Sequence, residues 1–124
     1  MIRGLGIDLV EIDRLERALA THGERLERRI FTDRERADCN RRRDRVQALA
    51  ARFAAKEACL KALGTGWSQG LTFRSVEVVR TESGRPELRL HGAASERARR
   101  DGITSLSVSL THQPGVAGAV VVLE

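Results

Sequence analysis

The stretch that most constrains this chain is residues 52–66, Arg-Phe-Ala-Ala-Lys-Glu-Ala-Cys-Leu-Lys-Ala-Leu-Gly-Thr-Gly. Ala, Leu, Lys and Glu dominate it, and all are good helix formers. Gly64 and Gly66 suit the left-handed residue that ends many helices. The pattern predicts one long central helix from Val46 to Leu63. At about 100° per residue, Glu57 falls between Phe53 on one side and Ala54 and Lys61 on the other, with Leu49 and Leu60 just beyond Phe53. Glu57 and Lys61 therefore border the apolar face rather than oppose it. Arg52 is placed on the far side, pointing away. Lys56 falls near Leu49 and Leu63, where the pattern gives it no role. A Glu–Lys pair at i,i+4 in this order contributes ~0.2–0.5 kcal/mol on a solvated helix, and many such pairs do nothing more. Two features favour more here: the border position, and the scarcity of lysine. The chain has 20 arginines and only two lysines, both in this helix. A compact, rotatable ammonium is not equivalent to a guanidinium fork where phosphate or proton transfer is at issue.

A length of 124 residues predicts one domain over 1–124. Its core is modest enough to gain from oligomerisation. No apolar run is long enough to span a membrane, and the N-terminus lacks the apolar region and cleavage site of a signal peptide. The cytoplasm is the expected location. Cys39 and Cys59 form no framework and no metal spacing, so both are expected to be reduced, with Cys59 filling core. The net charge of +5 favours acidic partners. Most arginines, however, are interleaved with acids, as on solvated helix faces. With no Tyr, one Trp and three Phe, a base-stacking platform is poorly supplied. A small nucleic-acid-binding protein would explain the charge but not the placement of Glu57 and Lys61.

Taken in order, residues 3–10 read as a strand, with Leu5, Ile7 and Leu9 on one face and Gly4, Gly6, Asp8 and Val10 on the other. Asp8 is a carboxylate within an apolar strand, and Gly6 permits close approach of a backbone or ligand. Residues 11–20 read as a helix with Ile12, Leu15, Ala18 and Leu19 on one face and Arg14 and Arg17 on the polar side. Thr21 to Glu24 and Thr32 to Glu35 both have capping-box spacing and start short helices near 24–30 and 33–40. Asn40 to Arg45 is a basic loop, either a solvated surface segment or a phosphate clamp. After the central helix come a loop with Trp67, a hairpin of strands 75–80 and 87–91 around a turn at Ser83–Pro86, and a helix over 92–101. A strand over 105–112 follows, with Leu106, Val108 and Leu110 inward. The final strand over 116–123 has a near-continuous Val run that suggests the centre of a sheet. The fold class is α+β: a largely antiparallel sheet packed with helices.

Four fragments together carry a resemblance: Gly6-Ile-Asp-Leu-Val-Glu-Ile-Asp-Arg14, Phe31-Thr-Asp-Arg-Glu35, Arg52 to Gly66, and Ser109-Leu-Thr-His112. In these the chain resembles the short class of 4′-phosphopantetheinyl transferase, the bacterial holo-acyl-carrier-protein synthases, over its whole length. The resemblance implies that fold, and an enzyme that moves the phosphopantetheine arm of coenzyme A onto a serine of apo acyl carrier protein. The other product is adenosine 3′,5′-bisphosphate, and the reaction supports fatty acid or polyketide biosynthesis. The resemblance further implies Mg²⁺ dependence and a homotrimer with active sites at the subunit interfaces. By position, Asp8 and Glu57 match the metal ligands, Lys61 the catalytic lysine and His112 a strand-end histidine near the coenzyme.

The chemistry agrees with those residue types. Mg²⁺ takes one or two carboxylates plus substrate phosphates. Transfer of a phosphoryl-type group needs positioning and neutralisation of charge more than covalent help. Glu57, or a metal-bound water, is a candidate base for the carrier serine. Gly64, Thr65 and Gly66 would let backbone approach the nucleotide, with Ser109 and Thr111 beside it. Arg52, the loop arginines 41–45, Arg85 and Pro86 are candidates for its phosphates. Arg14 and Arg17, with Arg25 beyond, form the candidate landing surface for an acidic carrier. A non-catalytic oligomeric module of the same fold is opposed only by the intact motifs.

Overall fold

The computed structural model describes all residues, 1–124. The chain runs β1 (Gly4–Glu11), α1 (Ile12–Ile30), α2 (Asp33–Asn40), α3 (Arg45–Leu63), a 3₁₀ turn (Phe73–Ser75), β2 (Val76–Arg80), β3 (Pro86–Leu90), α4 (Gly92–Arg100), β4 (Leu106–Gln113) and β5 (Val116–Leu123). All strand pairs are antiparallel. The strands form two sheets rather than one: β1–β5–β4, and the hairpin β2–β3. β5 is the central strand of the larger sheet, as its valine run predicts, with Ala117, Ala119, Val121 and Leu123 buried.

α3 lies across this sheet and supplies much of the core: Leu49, Ala54, Ala55, Ala58, Cys59 and Leu60 are all nearly inaccessible. Its alanines let strand and helix approach closely, and Gly4 and Gly6 complete the approach. A Cβ built on Gly6 would lie 1.8 Å from the Ala58 carbonyl oxygen, and one on Gly4 2.2 Å from that of Ala62. The glycine face of β1 is thus the packed one. Leu5, Ile7 and Leu9 point the other way and are 65%, 61% and 70% exposed. Alternation determines which residues share a face, while the depth available over α3 determines which face is covered. On β4 the expected inward residues Leu106, Val108 and Leu110 are the partly buried ones, and the intervening hydroxyl side chains are exposed.

The expected two helices before α2 are present as one hydrogen-bonded run broken at Gly23, whose φ of 64° and ψ of −152° turn the chain. The Thr21–Glu24 spacing closes no capping box; Glu24 instead pairs with Arg28 and Arg36. The second box is real. The Thr32 hydroxyl accepts from the Glu35 N–H at 3.2 Å, and Glu35 accepts from the Thr32 N–H at 2.9 Å. α3 ends at Gly64, whose φ of 76° is the left-handed cap that the glycine predicts.

Two polar residues of α3 correct the sequence reading. Arg52 does not point away: it is 2% exposed, and its Nη1 donates to the Ala48 carbonyl at 3.2 Å. Lys56, to which the pattern assigned nothing, is fully buried and ion-paired with the equally buried Glu35 at 2.7 Å. Burial pushes the Lys56 ammonium below its usual range and the charge of Glu35 draws it back. Removing one partner of a buried pair costs ~3–5 kcal/mol, because the other charge is left uncompensated. Cys39 and Cys59 are buried free thiols; burial pushes the Cys59 thiol up to about 12.

Candidate active site

Asp8 is the first polar side chain on the glycine face of β1, so it is turned toward α3 and one end of its cleft. Lys61 reaches across from α3, and its Nζ donates to Asp8 Oδ1 at 2.9 Å and to the Ile7 carbonyl at 3.0 Å. The i,i+4 partner Glu57 is not what Lys61 binds. A carboxylate and a carbonyl on the neighbouring strand offer two acceptors, which the helical pair cannot match. Glu57 lies in the same cleft. Burial raises its carboxyl above the usual range, and the negative charge of Asp8 raises it further, while Lys61 and the Trp67 indole N–H oppose the rise. The cleft, of about 480 Å³, is lined by Asp8, Glu57, Arg14, Leu15, Leu26 and Phe53 among others.

Two half-desolvated carboxylates, one of them paired with an ammonium, suit a divalent cation. Their like charges raise the proton affinity of Glu57, and a hard cation between them would relieve that. Asp8 and Glu57 alone make no closed metal cage, as no cluster of three or more His, Cys, Asp or Glu side chains is present. Mg²⁺ sites of one or two carboxylates are completed by water and phosphate oxygens.

His112 is not brought to these residues within one chain. It sits at the end of β4, opposite Ala117 of β5, with its Nε2 3.6 Å from Asp44 Oδ2. It opens onto a second cleft of about 660 Å³, shared with Asp44, Arg43, Arg45, Asp13 and Glu16. The hydrogen bonds from Arg42 hold the Asp44 carboxyl below the usual carboxylate range. Arg42 spends its fork on Asp44 at 2.8 and 3.0 Å, and Arg45 is bound to Asn40 and Glu27. Of the basic loop, Arg41 and Arg43 remain free and exposed for a phosphate.

The other predicted site residues are distributed along the surface. Thr65 Oγ1 donates to the Gly66 carbonyl at 3.1 Å, just past the Gly64 cap. Ser109 and Thr111 lie on the exposed face of β4, beside Val120 and Gly118 of β5. Arg85 and Pro86 are at the tip of the β2–β3 hairpin, and neither lines the Asp8–Glu57 cleft. Arg52 is the least accessible of the phosphate candidates, and its Nε is the one buried side-chain polar atom without a hydrogen-bond partner. Two features escaped the sequence reading. Trp67 leans on Phe73, with ring centroids 3.8 Å apart, and Phe73 on Phe53 at 5.3 Å, an aromatic row whose Phe53 lines the cleft with Glu57. The other is Lys56. The scarcity of lysine that singled out Lys61 applies equally to it, and that signal could have found it.

Residues 4–112 match the 4′-phosphopantetheinyl transferase superfamily. The chain is 51% identical to the holo-(acyl-carrier-protein) synthase of Methylobacterium radiotolerans, with all of this chain and 94% of that protein aligned. Its structure is similar to that of the Neisseria meningitidis holo-(acyl-carrier-protein) synthase, with a TM-score of 0.92, 35% identity, and coverage of 100% of this chain and 99% of the other. It is likewise similar to the Helicobacter pylori synthase solved with coenzyme A, at a TM-score of 0.86, 32% identity, and coverage of 97% and 99%. This chain belongs to the 4′-phosphopantetheinyl transferase superfamily.

Proposed function

We infer that this protein transfers the 4′-phosphopantetheine arm of coenzyme A to a serine of apo acyl carrier protein, and that it does so with Mg²⁺. The observation that carries this reading is the meeting of Asp8 and Glu57 from two elements in one cleft, with Lys61 bonded to Asp8. The full-length similarity to synthases, one of them solved with coenzyme A, supports it. The serine oxygen forms a bond to the phosphorus that bears the pantetheine, the pyrophosphate P–O bond breaks, and adenosine 3′,5′-bisphosphate leaves. Asp8 and Glu57 would hold Mg²⁺, which when bound neutralises charge on the pyrophosphate. Glu57 receives the serine proton, as a carboxylate within the cleft that holds the reacting groups. Lys61, half-exposed and flexible, can release Asp8 and turn its ammonium to the phosphates.

The second cleft, with His112, Arg43 and Asp44, would hold the coenzyme's anionic end. Within one chain it is separate from the first. We read the active site as shared between chains of a homotrimer, with the cleft of Asp8 and Glu57 from one meeting that of His112 from the next. The exposed row Leu5, Ile7 and Leu9 supports this, because a bare apolar strand face of that kind marks an interface. The carrier lands on Arg14, which lines the Asp8 cleft, and on the neighbouring Arg17 and Arg25.

The test is to incubate the protein with coenzyme A, Mg²⁺ and apo carrier protein and to look by mass for the added arm. Transfer is expected with Mg²⁺ and lost without it. Glu57→Ala and Lys61→Ala should each lose it at least ~100-fold. Unchanged transfer in either variant would overturn the assignment.

A further inference from the structure

We propose that Lys56 is a positioning residue for this reaction: its buried ammonium sets the rotation of α3, and the place of Phe73, so that the neighbouring Glu57 faces Asp8. It builds on the reading of Glu57 as a working carboxylate. Lys56 Nζ donates to Glu35 Oε1 at 2.7 Å, to the Phe73 carbonyl at 3.0 Å and to the Val76 carbonyl. All three of its protons are used. The acceptors come from three places: Glu35 on α2, Phe73 in the 3₁₀ turn, and Val76 at the start of β2. Glu35 is itself fixed, because it also accepts the Thr32 N–H at 2.9 Å and the Val78 N–H at 2.8 Å.

A single ammonium thus ties α3 to a helix on one side and to the second sheet on the other. Apolar contacts between alanine-rich surfaces resist separation but tolerate sliding. Three directed hydrogen bonds, in a place with no water to replace them, do not. Glu57 is the next residue on the helix, so any rotation of α3 at Lys56 is a rotation of Glu57. The Phe73 bond adds a second effect. It holds the ring that carries Trp67 and leans on Phe53, and Phe53 lines the cleft together with Glu57. A shorter or apolar side chain at position 56 would free both the carboxylate and these rings. Lys56→Arg does not restore the arrangement, since the planar fork cannot point three donors at acceptors converging on one nitrogen.

The experiment compares Lys56→Met, Lys56→Arg and the double variant Glu35→Gln/Lys56→Met with Leu88→Ala, a buried change in β3 away from the cleft. All are assayed well below their melting temperatures. We expect both Lys56 single variants and the double variant to lose kcat by about 10- to 100-fold, as for a misplacement of about 1 Å, with KM for coenzyme A little changed. The emission of Trp67, the only tryptophan, should shift in the same variants. Leu88→Ala should melt earlier but keep kcat and emission. If Lys56→Met does not fold, the double variant, which removes the stranded charge, carries the test. Wild-type kcat and emission in a folded Lys56 variant would overturn the proposal, as would an equal loss of kcat in Leu88→Ala. Absence of transfer by the wild type would instead overturn the functional reading, while the emission comparison would still judge the positioning.

Discussion

Gly6→Ala tests the geometry of the site without touching a charged residue. The new Cβ would meet the Ala58 carbonyl oxygen at 1.8 Å, its carbon at 2.8 Å and the Ala62 nitrogen at 3.0 Å. Heavy-atom contacts with a Cβ do not fall below about 3.0 Å, so β1 and α3 must separate locally by over about 1 Å, and the atoms in the way are helix backbone. Overpacking of this kind costs ~1–3 kcal/mol, and more where backbone must move. For a chain of this size that corresponds to a fall in Tm of about 3–15 °C. The same displacement moves Asp8, two residues along the strand and on the same face, away from Glu57 and Lys61. Transfer should therefore fall by about 100-fold even at temperatures where the variant is fully folded. Thermal melting followed by circular dichroism, and the mass-shift assay at 20–25 °C below the variant's midpoint, give the two numbers (about that margin keeps the folded fraction near unity). A variant that melts with the wild type and transfers at its rate would refute the claim that this close approach places the site.

Two further outcomes follow from other parts of the molecule. Burial alone would raise the Glu77 carboxyl, but hydrogen bonds from Thr32 and His91 outweigh it and the group is held below its usual range. It therefore adds stability above its unfolded value of about 4.3, and that stability is lost as pH falls through the lower folded value; urea midpoints should drop as pH falls below the unfolded value, with a shallower slope in Glu77→Gln. Arg14→Glu, or added salt, should weaken carrier binding by at least ~10-fold while leaving coenzyme binding nearly unchanged; equal loss of both, measured by calorimetry, would remove Arg14 from the landing surface.

Several elements were legible from short-range pattern. Gly64 stops α3 because a left-handed cap is a local requirement, and Thr32 and Glu35 close their box because both partners lie within one turn. Pattern also placed Asp8 and Glu57 on faces where they could meet. It misjudged Lys61, whose helical neighbour lost to Asp8 and the Ile7 carbonyl, 53 and 54 residues away in sequence. It placed Lys56 near Leu49 and Leu63 but gave it no role, because its partners Glu35, Phe73 and Val76 lie on three other segments. Arg52 went astray for the same reason: helical angle alone cannot tell solvent from a second packed layer.

By itself, then, the sequence determined the order of elements, the residues that share each face, and the family to which the motifs belong. These depend on periodicity and on fixed local chemistry. Only the tertiary structure decided that the glycine face of β1, not the Leu5–Ile7–Leu9 face, would lie on α3. The apolar face is the more hydrophobic, yet only the glycines are shallow enough to let the helix backbone in. That choice leaves a greasy strand face uncovered and turns Asp8 toward Glu57 and Lys61. Burial is thus governed here by depth and shape across two elements, which no single stretch of sequence contains.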